Sequence, residues 1–153
     1  MLFRSGGKSD AVSFLLAKGA DPLEKHRYGR NLLHLAAQGG QIDIIEIFLS
    51  RGIDVNSKDS FNVTPLLIAA SFGKIAAAHF LLRRGADAFA KGFAGRNVLH
   101  DASRHGSVTL IDTVLSFGVD VNSKDDNGLT ALQLAQEQRK TEAVNFLLSK
   151  GGR

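Results

Sequence analysis

The 153-residue chain has no cysteine and no tryptophan, a single tyrosine and only two prolines. Without cysteine there is no disulfide and no thiolate zinc site. That fits a reducing compartment, and a cytoplasmic or nuclear location is expected. No apolar stretch approaches the ~20 residues of a membrane-spanning helix. Met1-Leu2-Phe3-Arg4-Ser5 is too short and too early charged to read as a signal peptide. Charge of one sign is lacking too. Nineteen Lys and Arg stand against fifteen Asp and Glu, a formal net charge of +4, with no run of basic residues. Such a balance speaks for ordinary solubility before it speaks for an acidic partner.

What is present is a period. Gly29, Gly95 and Gly128 are spaced by multiples of 33, with Asn62 at the missing step. Gly19, Gly52, Gly85, Gly118 and Gly151 form a second series at the same interval. A fixed period running through the chain marks stacked supersecondary units, none able to bury its apolar face alone. One domain is expected at this length. Arrays of this kind are mostly binding scaffolds, so the question becomes which surface binds, and what.

The segments between the glycines carry a motif. They read Asn31-Leu32-Leu33-His34-Leu35-Ala36-Ala37, Thr64-Pro65-Leu66-Leu67-Ile68-Ala69-Ala70, Asn97-Val98-Leu99-His100-Asp101-Ala102 and Thr130-Ala131-Leu132-Gln133-Leu134-Ala135. Each precedes an apolar helix, a glycine and, in three units, an aspartate: Gly52-Ile53-Asp54, Gly85-Ala86-Asp87 and Gly118-Val119-Asp120. The pattern resembles the ankyrin repeat, T-P-L-H-x-A at a 33-residue period, over essentially the whole chain. The resemblance implies an all-α solenoid of helix-turn-helix units with protruding hairpin-like loops. It divides the chain into a partial unit 1–25, repeats 26–58, 59–91 and 92–124, and a capping repeat 125–153. The implied function is non-catalytic protein–protein recognition through the concave loop and short-helix face, with no cofactor. A monomer is expected, the open first unit being the face for any self-contact.

In each unit a short helix, a turn and a longer helix lead into an extended loop. Ala36-Ala37, Ala69-Ala70 and Ala102-Ser103 let neighbouring helices approach closely. Pro65 suits a helix start because a first-turn N–H has no intrahelical partner. Leu32, Val98 and Ala131 lack that benefit, so those helices are expected to be less well determined at their starts. In the last unit Gln136-Glu137-Gln138-Arg139-Lys140 gives the polar outer face of a terminal cap. At the other end Gly7-Lys8-Ser9 is expected to form the turn and Ala11 to Lys18 the second helix, with the helix before it reduced to Leu2-Phe3. The chain thus opens inside a repeat, as a piece of a longer array or as an incomplete unit.

The chemistry-bearing residues fall mostly to structural readings. Gly6-Gly7-Lys8-Ser9 has the end of a phosphate-binding loop but neither its first glycine nor its preceding strand. Asn62-Val63-Thr64 is a glycosylation sequon inside the repeat signature and reads as accidental. His34 and His100 stand where the family's signature histidine bridges adjacent loops. His100, Asp101 and Ser103 are triad residue types almost adjacent on one helix, where they do not face each other. His100 and His105 have no third metal ligand. No catalytic constellation is found. In the family, asparagines of this loop can be hydroxylated by a cytosolic oxygenase; Asn56 and Asn122 match, while Glu24 and Phe89 do not.

Two surface features remain. Lys25, Lys58, Lys91 and Lys124 line up at the repeat interval, the basis of an alternative reading as a nucleic-acid or acidic-phospholipid binder. Asp59, Asp125 and Asp126 are expected to neutralise much of that charge. Phe14, Phe48, Phe80 and Phe146 are expected in the core. Phe61, Phe72, Phe89 and Phe93 are expected outside it and to converge on a binding centre. Arg27, Tyr28, Arg30, Arg96, Arg104 and His105 supply the basic margin, at corresponding loop tips and helix ends. A third reading makes the chain the targeting arm of a larger enzyme.

Overall fold

A computed structural model describes residues 7–153. Among these are nine α-helices and no β-strand: α1 Gly7–Ala17, α2 Leu32–Gly39, α3 Ile42–Ser50, α4 Pro65–Ser71, α5 Ile75–Arg83, α6 Val98–His105, α7 Val108–Ser116, α8 Ala131–Glu137 and α9 Thr141–Ser149. The short helices α2, α4, α6 and α8 pack in one row, and α1, α3, α5, α7 and α9 in a second. The core lies between the rows. Ala36, Ala37, Ala69, Ala70, Ala102 and Ser103 are all buried, and their small side chains permit that close approach.

Helix starts depart from the sequence expectation. The helices without proline are the more fully capped. Asn31, Asn97 and Thr130 each accept the N–H of the residue three positions on, while His34, Gln133 and His100 return a bond to the cap backbone. Two orphan N–H groups are thus satisfied at each start. Thr64 caps Leu67 alone, because the leucine has no acceptor to give back. Proline at the first helical position is one device; the capping box is another, and here it does more.

Helix ends follow the glycines. Gly52 takes φ +85 just beyond α3, the left-handed geometry that a side chain disfavours. At the tight turns between paired helices Gly40, Gly73 and Gly106 are left-handed, and in the last repeat Arg139 adopts φ +56 at the same place. Asn62, standing for glycine, adopts φ +60.

Two further expectations are corrected. Gly7-Lys8-Ser9 is not a turn: α1 already starts at Gly7, with Asp10 in its first turn, where a carboxylate complements the helix dipole. Leu2-Phe3 and Gly6 lie outside the described residues. Of the four phenylalanines assigned to the core, only Phe48 is buried. Phe80 and Phe146 are half-buried and lie under the cations of Arg84 and Lys150, at 4.9 and 5.0 Å from ring centroid. Phe14 is 62% exposed. Phe80 and Phe146 sit one position before buried Leu81 and Leu147, so the helix turns them towards its flank; Phe14 lies in the end unit, where Leu15 beside it is exposed as well.

Candidate functional site

The loop tips precede the short helices and are closed by backbone hydrogen bonds: His26 N–H to Arg30, Asp59 to Val63, Gly92 to Arg96 and Asp125 to Leu129. In the second and fourth tips an aspartate organises the turn. Asp59 Oδ1 accepts from the N–H groups of Phe61 and Val63, and Asp125 Oδ1 from Asn127 and Leu129. His26 and Gly92 occupy that position in the first and third tips. There Tyr28 and Ala94 take left-handed φ values of 65° and 56°. Their carbonyls then accept from the next tip, Tyr28 from Ser60 and Ala94 from Asp126.

The same alternation runs through the other links between repeats. Arg30 Nε donates to Asp59 Oδ2 at 3.2 Å, and Arg96 Nε to Asp125 at 3.4 Å. His34 Nε2 donates to the Val63 carbonyl, and His100 Nε2 to Leu129, each ring accepting the Asn31 or Asn97 N–H at Nδ1. Burial holds both imidazoles below the ordinary histidine range, in part offset by these carbonyl bonds. Asn56 clamps Gly85 and Asp87, and Asn122 clamps Gly151 and Arg153. Glu46 pairs with Arg84, and Asp112 with Lys150.

Apart from the Asn31–His34 and Asn97–His100 bonds, each of these joins repeats 26–58 and 59–91, or 92–124 and 125–153. At the central joint the corresponding positions hold Val63 for arginine, Gly92 for aspartate, Leu67 for histidine, Phe89 for asparagine, and His79 and Phe117 for the outer ion pair. The main polar link there is at the helix ends: the Ser71 carbonyl accepts Arg104 Nη2 at 3.3 Å and His105 Nε2 at 2.8 Å.

A cavity of about 210 Å3 opens at this joint. Buried Leu67, Ile68 and Asp101 form its base. Phe72 and Phe93 stand at its mouth, Phe93 being 74% exposed. Arg30, Arg96 and Arg104 are among the residues that line it. Asp101 lies 3.7 Å from Arg104 Nε. Burial pushes its carboxyl above the ordinary range, and Arg104 and Arg96 offset this in part.

The expected convergence of four phenylalanines is thus partial. Phe72 and Phe93 share the cavity. Phe61 packs against Tyr28 instead, ring centroids 5.9 Å apart, with the Arg27 guanidinium 5.4 Å from the Tyr28 ring. Phe89 is exposed on the loop after α5, its N–H bound to Asp87, and lines no part of the cavity. His105 is spent on Ser71. Asn56 and Asn122 are committed to their clamps. The four lysines are exposed, but Asp59 and Asp125 do not serve as their surface counterions. Both carboxylates are fully buried and bound to turn N–H groups and arginines. Among the described residues no cluster of three or more His, Asp or Glu suits a metal ion, and no helix is long and apolar enough to cross a membrane.

The sequence reading passed over Gly92, Val63 and Leu67, which make the cavity. Their signal was present as departures from the 33-residue pattern, at positions where the flanking repeats carry Asp, Arg and His.

The family model described as ankyrin repeats (3 copies) matches residues 1–92 and 66–153, and the chain belongs to that family. Ankyrin repeats are generally protein–protein interaction modules and typically non-catalytic. No curated protein matches the chain.

Proposed function

We propose that the chain is a non-catalytic recognition module that holds a protein partner on its loop-tip and short-helix face. One observation carries the reading. Tyr28, Phe61, Phe72 and Phe93 are exposed on successive tips and helix ends, interleaved with Arg27, Arg30, Arg96 and Arg104. Exposed aromatics in a group are costly in water unless a partner covers them, and Tyr, Phe and Arg are the usual anchors of protein interfaces. Their scaffold is rigid where it matters. Arg30, Arg96 and Arg104 are held through Nε or Nη by Asp59, Asp125 and Ser71, so little of their side-chain freedom is lost on binding.

The test is capture from cell extract by the intact chain and by a Phe61→Ala/Phe93→Ala double variant. A protein retained by the first and lost by the second supports the reading. Retention of nucleic acid or acidic lipid, with a steep decline as salt is added, would replace it with the lysine-ladder alternative.

A further inference from the structure

The cavity at the central joint is built as a receptor for an anion beside an apolar group. We propose that it takes an aspartate or glutamate side chain of a short peptide segment in the partner, the adjoining apolar side chain of that segment seating against Phe72 and Phe93. The inference rests on the recognition reading above and supplies the partner chemistry that reading leaves open.

Gly92 makes the space. Its φ of −110° is one that any residue adopts, and His26, at the same place in the first tip, has φ −86° and ψ −165° against ψ −142° for Gly92. Backbone conformation therefore does not call for glycine here. A Cβ would come within 3.0 Å of Leu67 Cδ1 and 3.3 Å of Val63 Cγ2, closing the floor that the absent side chain leaves open. In the second and fourth tips that position holds an aspartate accepting from an arginine. At the central joint both partners are missing from the chain.

The guanidinium groups have donors to spare. Arg30 uses Nε and Nη1 on Asp59 and Gln38, Arg96 uses Nε on Asp125, and Arg104 uses Nη2 on Ser71. Among the described residues Arg30 Nη2, both Nη groups of Arg96 and Arg104 Nη1 have no hydrogen-bond partner. Arg104 Nε is buried with none in hydrogen-bond range. The carboxylates that fix Arg30 and Arg96 are shielded from solvent, while both arginine side chains remain partly exposed. Held arginine forks around a common space suit a carboxylate, which accepts two N–H bonds at once.

Charge balance decides which anion. Each of the three guanidinium groups has a buried carboxylate beside it, Asp59, Asp125 or Asp101, so the cavity carries little net charge and offers a dianionic phosphate no net attraction. A cation would be drawn to Asp101 but must then face three guanidinium groups, two of which already compensate that carboxylate. A monoanionic side chain is the compromise the charges favour. Buried Leu67 and Ile68 and the two exposed rings supply the apolar part.

The experiment pans a displayed random-peptide library on the intact chain. Selected peptides should share Asp or Glu next to a large apolar residue. A synthetic peptide of the selected sequence should bind about tenfold more weakly when that acidic residue becomes Gln or Asn, the scale of one charge-assisted bond pair. Arg96→Gln and Gly92→Asp should each weaken it as much or more. Gly92→Asp places the chain's own carboxylate in the cavity; its Cβ crowds Leu67 and Val63, so a lower melting midpoint is expected and its affinity is read well below that midpoint. Glu142→Gln, on the outer face of α9, should leave affinity unchanged. Enrichment of basic peptides, tighter binding of a phosphoserine replacement, absence of any selected peptide, or binding indifferent to both cavity variants overturns the inference. Peptides lost with Tyr28→Ala or Phe61→Ala, yet not with the cavity variants, overturn it while supporting the recognition reading. Failure of both panning and extract capture removes both.

Discussion

The Nε2–H of His34 donates to the Val63 carbonyl at 3.0 Å, and His100 repeats the bond to Leu129 at 3.2 Å. Burial depresses the values of both rings, so the native chain favours the neutral imidazole. Below the unfolded value of about 6.5 the unfolded chain binds protons that the native chain refuses. The stability these rings contribute is therefore complete above about pH 6.5 and declines as pH falls towards their folded values. Melting midpoints should drop between about pH 7.5 and about pH 5. A His34→Gln/His100→Gln pair should flatten that slope; Gln133 already fills the capping role in the last repeat by accepting the Thr130 N–H at 2.8 Å. An unchanged slope in the pair would contradict this account.

Phe89 stands where Asn56 and Asn122 clamp the next repeat. It is 57% exposed, so little apolar burial is lost on replacement. Phe89→Asn should let the amide reach Gly118 and Asp120, the counterparts of Gly85 and Asp87. A gain of about 0.5–1.5 kcal/mol is expected, the net worth of one or two such bonds. Urea melts of the two proteins measure it, and a loss of stability would show that the loops of the central joint are not in register for the clamp.

Arg139 holds φ +56 where Gly40, Gly73 and Gly106 stand. Left-handed geometry strains a side-chain-bearing residue by roughly 1–2 kcal/mol, partly cancelled by the extra freedom that glycine has when unfolded. Arg139→Gly should gain about 0.5 kcal/mol by thermal melting, with no effect on binding at the other end of the face.

The weakest element should be α1. Phe14 and Leu15 are exposed, and among the described side chains of this helix only Leu16 is buried. In a stack whose stability is a sum of unit and neighbour terms, such an end unit opens first. Hydrogen exchange should be fast over residues 7–18 and slow over 64–85. Equal protection would mean that another surface, such as a second copy, covers α1.

Much of this architecture is legible in the 33-residue period. Gly52, Gly85 and Gly118 mark the helix ends, His34 and His100 the bridges, and Ala69-Ala70 the close contacts. What the pattern does not convey is where a side chain points when it lies one residue off the buried series, as Phe80 and Phe146 do. Nor does composition reveal that Asn31 and Asn97 replace proline with a fuller cap. The cavity was hidden for a different reason. It is made by what Val63, Leu67 and Gly92 lack, and it appears only when each is set against the bonds its counterparts make across the flanking joints.

The central claim is that exposed aromatic and arginine side chains on the tip face bind a protein. Its most direct measurement is the affinity of a captured partner for Phe61→Ala, Phe72→Ala and Phe93→Ala, with melting followed on the same samples. Each should weaken binding by about 2 kcal/mol if it is an anchor and change stability little. Leu81→Ala is the contrast. Fully buried, it should cost about 2–5 kcal/mol of stability and affect binding only through unfolding. Normal binding by all three phenylalanine variants, with binding lost on charge reversal of Lys58 and Lys91, would contradict the account and leave the lysine ladder in its place.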